Sequence, residues 1–357
     1  MPKLAKSLRR KRIDRVWLYV FVLWFIAACS PQPESLEVKA MPPQVLDPFP
    51  LQLNAPPMTQ TDSEYQDYSR VRGISGSLSS AGSDTLANLM TLWIESFNRE
   101  YPSVNFQVQA IGSSTAPPAL TEGTANFGPM SRPFKLHEVE AFESRHGYKP
   151  TFIRVAQDAV AIFVHKDNPL KRITVKQADA IFSTTRRCGG NEPISNWGQL
   201  GLSGNWATRP LQRYGRNTVS GTYGYFKTVV LCSGDFNSSV NEQPGSSSVV
   251  QGIATSLNAI GYSGLGYRTS GVKPLAVEND QGEFIEASRI TAANNSYPLT
   301  RFFYLYVNKR PDQSLSPIAL EFLKFVLSAQ GQEIVMQDGY IPISAQIAAQ
   351  ELRLLEN

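Results

Sequence analysis

An α/β chain with parallel or mixed sheets is the fold class that the sequence predicts, and three observations predict it. Strand-like apolar runs alternate with stretches whose apolar residues recur at helical spacing. The hydrophobic content of 42% over 357 residues is enough for a sizeable core and for two domains of ordinary size. Several passages from strand to helix are also built from Ser, Thr and Gly.

The strands expected are NFQVQAI (105–111), DAVAIFVH (158–165) and RFFYLYVN (301–308), each rich in β-branched and aromatic residues. One helix face is expected from Leu86, Leu89, Met90, Trp93 and Phe97, and another from Tyr225, Phe226, Val229 and Val230. Near the C-terminus, SPIALEFLKFVLSAQGQ (316–332) reads as one amphipathic helix with Pro317 in its first turn. No internal repeat is found.

The formal net charge of +4 is misleading if it is read for the whole chain. Residues 1–28 hold seven Lys or Arg against Asp14, a net +6, which leaves −2 for the rest. The basic excess therefore belongs to a leader, and a nucleic-acid partner is set aside. In that leader the apolar run VWLYVFVLWFIAA (16–28) is short for a membrane span and ends in small residues, as an export signal does. The following tether, 29–72, is rich in proline and polar residues and cannot bury enough surface to fold alone.

IAAC (26–29) resembles the lipobox of bacterial lipoproteins, which implies cleavage before Cys29 and acylation of its thiol. By the same resemblance Ser30 favours the outer membrane, although anchoring in the inner membrane stays open. Export would put Cys188 and Cys232 in an oxidising compartment, either joined, closing a loop worth about 4 kcal/mol, or as buried free thiols.

Three segments share one design, a strand followed by small hydroxyl and glycine residues and then a helix: SSAGSDTLANLM (79–90), AIGSSTAPPAL (110–120) and RNTVSGTYGYFK (216–227). The first backbone N–H groups of a helix lack intrahelical partners and the dipole is positive there, so each segment can donate to an oxyanion. Each is also an ordinary capped helix, and only convergence would make a site.

Those segments, with PMSR (129–132), YGRN (214–217), NEQPGS (241–246) and IGYSGLGY (260–267), make residues 73–344 resemble the phosphate-binding protein of the bacterial phosphate ABC transporter. The resemblance implies the type II periplasmic-binding-protein fold: two α/β lobes joined by a hinge that close on the ligand. It places lobe 1 at 73–155 and 296–357 and lobe 2 at 156–295, with crossings near RVAQDAV and SYPLTRF.

By the same resemblance, phosphate is held by Asp84, Thr85, Ser113, Arg216, Ser220, Gly221 and Thr222. Arg216 supplies the bidentate cation. Ser131 stands where many members have an aspartate that accepts the proton of hydrogen phosphate, and Asp84 is the candidate to replace that acceptor. Arg132 is expected either to reach the ligand or to clamp the lobes. The expected partners are inorganic phosphate and the membrane permease of an ABC transporter, with the membrane touched only through the lipid anchor.

A monomer without cofactor, metal or catalysis is expected. The chain has no G-x-x-x-x-G-K-[ST] loop and no G-x-S-x-G elbow, and His137, His146 and His165 are scattered. Two other readings keep the fold: a phosphate sensor or scavenger, and a binder of sulfate or molybdate.

Overall fold

The computed structural model describes residues 64–356. The expected export signal, Cys29 and most of the expected proline-rich tether lie outside the described residues.

In chain order, β1 (Gly76–Ala81) passes through a 3-10 turn at Asp84–Leu86 into α1 (Ala87–Glu100), and β2 (Val104–Gln109) passes through a second turn at Ser113–Thr115 into α2 (Ala116–Thr121). After β3 (Gly128–Met130) and α3 (Leu136–His146) comes the long β4 (Thr151–His165). The chain continues through β5 (Arg172–Ile173), α4 (Val175–Phe182), β6 (Gln212–Arg216), α5 (Gly221–Val229), β7 (Val240–Gln243), α6 (Ser246–Ala254) and β8 (Ala259–Gly264). Short elements follow: β9 (Val272–Pro274), β10 (Ala276–Glu278), β11 (Phe284–Ile285) and α7 (Arg289–Ala293). Then β12 (Thr300–Val307) leads to α8 (Pro317–Leu327), α9 (Ala329–Gln337) and α10 (Ala345–Glu356).

The sheets are mixed: β1 and β2 pair in parallel, as do β6 with β7 and β6 with β8, whereas β4 is antiparallel to both β12 and β8. The 15-residue β4 ties the molecule together. Its first part, Thr151 to Ala159, pairs with β12, and its continuation from Val160 to Val164 pairs with β8.

Two apolar cores flank this strand. Ile153, Val155 and Ala156 belong to a core with Leu89, Trp93 and Phe97 of α1, Phe303 and Leu305 of β12, and Phe322 of α8. Ala159 to Val164 belong to a second core with Phe182, Phe226, Val250 and Ile260. Between Ala156 and Ala159 the strand thus leaves one core and enters the other.

Two expectations are corrected here. The helix read across 316–332 is two helices, because Ser328 leaves the helical region (ψ 171°) and caps the second by accepting the N–H of Gly331 at 3.3 Å. Gln332 Nε2 donates to Val326 O at 2.9 Å, satisfying a carbonyl at the break. The tether, read as extending to residue 72, is already part of the body at its described end. Tyr65 and Tyr68 pack on the first core, Ala329 donates its N–H to Gln66 O at 2.9 Å, and Tyr68 Oη reaches Glu321 Oε2 at 2.9 Å. Cys188 and Cys232 are joined, with Cα atoms 5.1 Å apart.

Candidate functional site

The three helix starts singled out in the sequence come together, and they do so where the two cores meet. At the first, Ser83 caps the turn by accepting the N–H of Thr85 at 3.2 Å. At the third, Ser220 caps α5 by accepting from Thr222 N at 3.1 Å and Tyr223 N at 3.4 Å. The second is pinned against the third: Ser114 N donates to Val219 O at 3.0 Å. Gly112 allows that approach, with φ +153° and room for only a hydrogen, since an added Cβ would lie 2.6 Å from Val219 O.

A cluster of buried hydroxyls results. Thr85 Oγ1 lies 3.0 Å from Thr222 Oγ1, Ser83 Oγ lies 3.0 Å from Ser131 Oγ, and Ser113 Oγ lies 3.2 Å from Ser131 Oγ. Ser131 also donates its backbone N–H to Ser113 Oγ at 3.1 Å. Gly221 faces this group so closely that a Cβ there would stand 2.3 Å from Ser113 Oγ and 2.4 Å from Ser131 Oγ.

Arg216 ends β6 beside the cluster and is only 1% exposed. Its Nη1 pairs with Asp84 Oδ2 at 3.0 Å and donates to Ser246 Oγ at 2.7 Å, and its Nη2 donates to Pro244 O at 2.9 Å. The same Asp84 oxygen accepts the Ser246 N–H at 3.1 Å and the Ser246 hydroxyl at 3.2 Å. Burial pulls the Arg216 guanidinium below its ordinary proton affinity, and the Asp84 charge opposes that effect. The Nε–H of Arg216 is buried without a hydrogen-bond partner among the described residues.

Of the residues expected to touch ligand, Asp84, Thr85, Ser113, Ser131, Arg216, Gly221 and Thr222 meet here. Ser220 Oγ accepts two backbone N–H groups as the cap of α5 and keeps its own O–H to donate. Arg132 is engaged elsewhere: its guanidinium grips Glu138 through two bonds of 2.7 and 2.8 Å, with further bonds to Pro133 O and Ser114 Oγ. Its stem lies against Gly224 of α5, where an added Cβ would meet Arg132 Cδ at 3.1 Å.

Sequence reasoning missed four participants. Ser83 and Ser246 carry the signal that found the others, a hydroxyl beside glycine at a helix start. Asp158 and Arg301 carry none, because each is one charged residue at the mouth of an apolar run, and only strand register sets them opposite one another. An open groove lined by Tyr68, Glu321, Lys324 and Arg353 shares no residue with the hydroxyl cluster. Among the described residues no group of His, Cys, Asp and Glu could hold a metal ion.

Two cores on mixed sheets, with capped helix starts converging at their junction, define the class of the protein, and residues 68–330 match the model of the PBP superfamily domain. The chain is 58% identical to the phosphate-binding protein PstS of Pseudomonas aeruginosa PAO1 over 82% of its own length and 91% of that relative. It is also similar to a putative phosphate ABC transporter substrate-binding protein from Clostridium perfringens, solved with bound phosphate, at 28% identity and a TM-score of 0.63 over 75% of this chain and all of that one. An ABC-type phosphate transport receptor from Vibrio cholerae shares the fold, with 22% identity and a TM-score of 0.58 over 74% of this chain and all of that one. The chain belongs to the PstS family of phosphate-binding proteins, a family of binding proteins and not of enzymes.

Proposed function

We propose that this protein captures inorganic phosphate between its two lobes in the periplasm and delivers it to the membrane permease of an ABC transporter. The observation that carries the reading is the convergence of the Thr85, Ser113 and Thr222 hydroxyls from separate helix starts, with that of Ser131 after β3, beside a buried arginine whose Nε–H has no partner among the described residues. A desolvated anion needs nearly every oxygen satisfied, and this group supplies hydroxyl and backbone donors together with the positive ends of helices. The Arg216 charge is largely offset by Asp84, so dipoles rather than net charge carry most of the recognition.

Asp84 is assigned the proton of hydrogen phosphate. Its Oδ2 is taken up by Arg216 and Ser246, while Oδ1 makes no hydrogen bond among the described residues. Sulfate carries no proton at neutral pH and would leave that acceptor facing an oxyanion lone pair. Calorimetry on residues 64–357 is expected to show binding of phosphate and arsenate and none of sulfate, with the preference reduced in Asp84→Asn. An unchanged preference in that variant overturns the assignment, and absence of phosphate binding by the parent protein overturns the function.

The lobes are taken as 73–155 with 296–357, and 156–295; the two cores follow these bounds except near the crossings and at Ile341, with Ala156 in the first core and Tyr297, Leu299 and Ile341 in the second. Anchoring by an acylated Cys29 is supported by IAAC alone, and a monomer by a hydroxyl cluster whose members all come from one chain. The full chain is expected in the membrane fraction and its Cys29→Ser variant in the soluble fraction, and equal partitioning of the two would refute the lipid anchor.

A further inference from the structure

Arg301, on β12 outside the cluster just described, is buried at 6% exposure and touches both walls of the pocket. Its Nη1 donates to Ser131 O at 2.9 Å and its Nη2 to Thr222 Oγ1 at 3.0 Å. The remaining edge of the guanidinium is held by Asp158, with Nε and Nη2 donating to Oδ2 at 3.1 and 2.8 Å. The plane is flanked by the rings of Tyr225 and Phe303, each with its centroid 5.3 Å away. Asp158 and Arg301 are directly opposed residues of the antiparallel β4–β12 pair, which is where the chain crosses between the cores.

We propose that Arg301 is a positioning residue that aims the pocket hydroxyls, a reading that rests on the phosphate function above. A hydroxyl has one hydrogen and two acceptor sites. Where Arg301 fills one acceptor site of Thr222 Oγ1, the Thr222 hydrogen is turned away from the guanidinium and stays available to donate, with Thr85 Oγ1 lying 3.0 Å away. The guanidinium can only donate, so it never takes up the Thr222 hydrogen and leaves that hydroxyl as a donor for an anion. Its second arm fixes the Ser131 carbonyl, and with it the residue whose Oγ joins Ser83 and Ser113. Asp158 holds the fork in place, and because both members lie on the crossing strands, pocket polarity is set at the hinge rather than in either lobe.

The test is a cycle of Arg301→Lys and Thr222→Val, read as phosphate affinity by calorimetry. Lysine keeps the charge but cannot span Asp158, Ser131 O and Thr222 at once. In the parent protein Arg301→Lys is expected to weaken binding about tenfold, and in the Thr222→Val background by less than about threefold, because the bond through which it acts is already gone. A purely structural role would cost the same factor in both backgrounds, and that result overturns the proposal while leaving the phosphate reading intact. Failure of the parent protein to bind phosphate removes both. Should Arg301→Lys not fold, Asp158→Asn with Arg301→Gln, which leaves no buried charge unpaired, enters the same cycle with the same criterion.

Discussion

Replacing Arg216 by methionine is expected to weaken phosphate binding by roughly two to three orders of magnitude. The guanidinium is buried and pairs with Asp84, so its loss does more than delete donors. It leaves the Asp84 carboxylate facing an incoming anion without compensation, and truncating one partner of a buried, hydrogen-bonded charge pair costs about 2–5 kcal/mol. The sign of the electrostatic part can be isolated. Adding Asp84→Asn to Arg216→Met removes the repulsion and is expected to recover affinity by about tenfold, since a like charge that close costs on the order of 1–2 kcal/mol at an intermediate effective dielectric. Calorimetry with phosphate, beside thermal melts in its absence, checks both. A single variant within tenfold of the parent protein would show that the hydroxyls and helix starts bind without the arginine.

Gly221→Ala gives the second large effect, by a different route. The added methyl would lie 2.3 Å from Ser113 Oγ and 2.4 Å from Ser131 Oγ, and 2.9 Å from Ser113 Cβ, well inside contact distance. Ser113 and Ser131 are wholly buried, so their hydroxyls have little space into which to turn. Either they rotate out of the cluster and two donors are lost, or α5 is held back and the lobes cannot meet. Both outcomes weaken binding, by roughly a hundredfold, or about 2.7 kcal/mol. On the proposed closure of the lobes around phosphate, the ligand-free protein need not bring these surfaces together, so its melting temperature is expected within about 2 °C of the parent's, given that 1 kcal/mol moves the midpoint by a few degrees at this size. Equal losses of stability with and without phosphate would mean that the glycine serves folding and not closure.

The residues that make the pocket were largely legible because they obey local rules. Thr85, Ser113 and Thr222 sit at helix starts, where caps and unpaired N–H groups follow from short-range chemistry, and the apolar spacing of Leu89, Trp93 and Phe97 announces the helix behind the first of them. The break at Ser328 was hidden for the converse reason. The apolar period runs straight through it and masks the short-range Ser328 cap on Gly331, while Gln332 Nε2 also reaches Val155 O at 3.1 Å, a partner that no local pattern specifies. For Arg132 the sequence left ligand contact and lobe clamp both open, because the hold of Glu138 on its guanidinium and the packing of its stem against Gly224 of α5 are set by the tertiary structure.

By itself the chain determined the alternation of strands and helices and the anion-friendly helix starts, since each depends on residues within a turn or two of one another. Only the tertiary structure decided that these starts face one another, that Asp84 of one wall meets Arg216 and Ser246 of the other, and that Asp158 and Arg301 lock at the crossing. The Thr85–Thr222, Asp158–Arg301 and Asp84–Ser246 contacts join residues 137, 143 and 162 positions apart in the chain. Their partners are chosen by strand register and by the packing of two cores on one long strand, which no short stretch of sequence encodes.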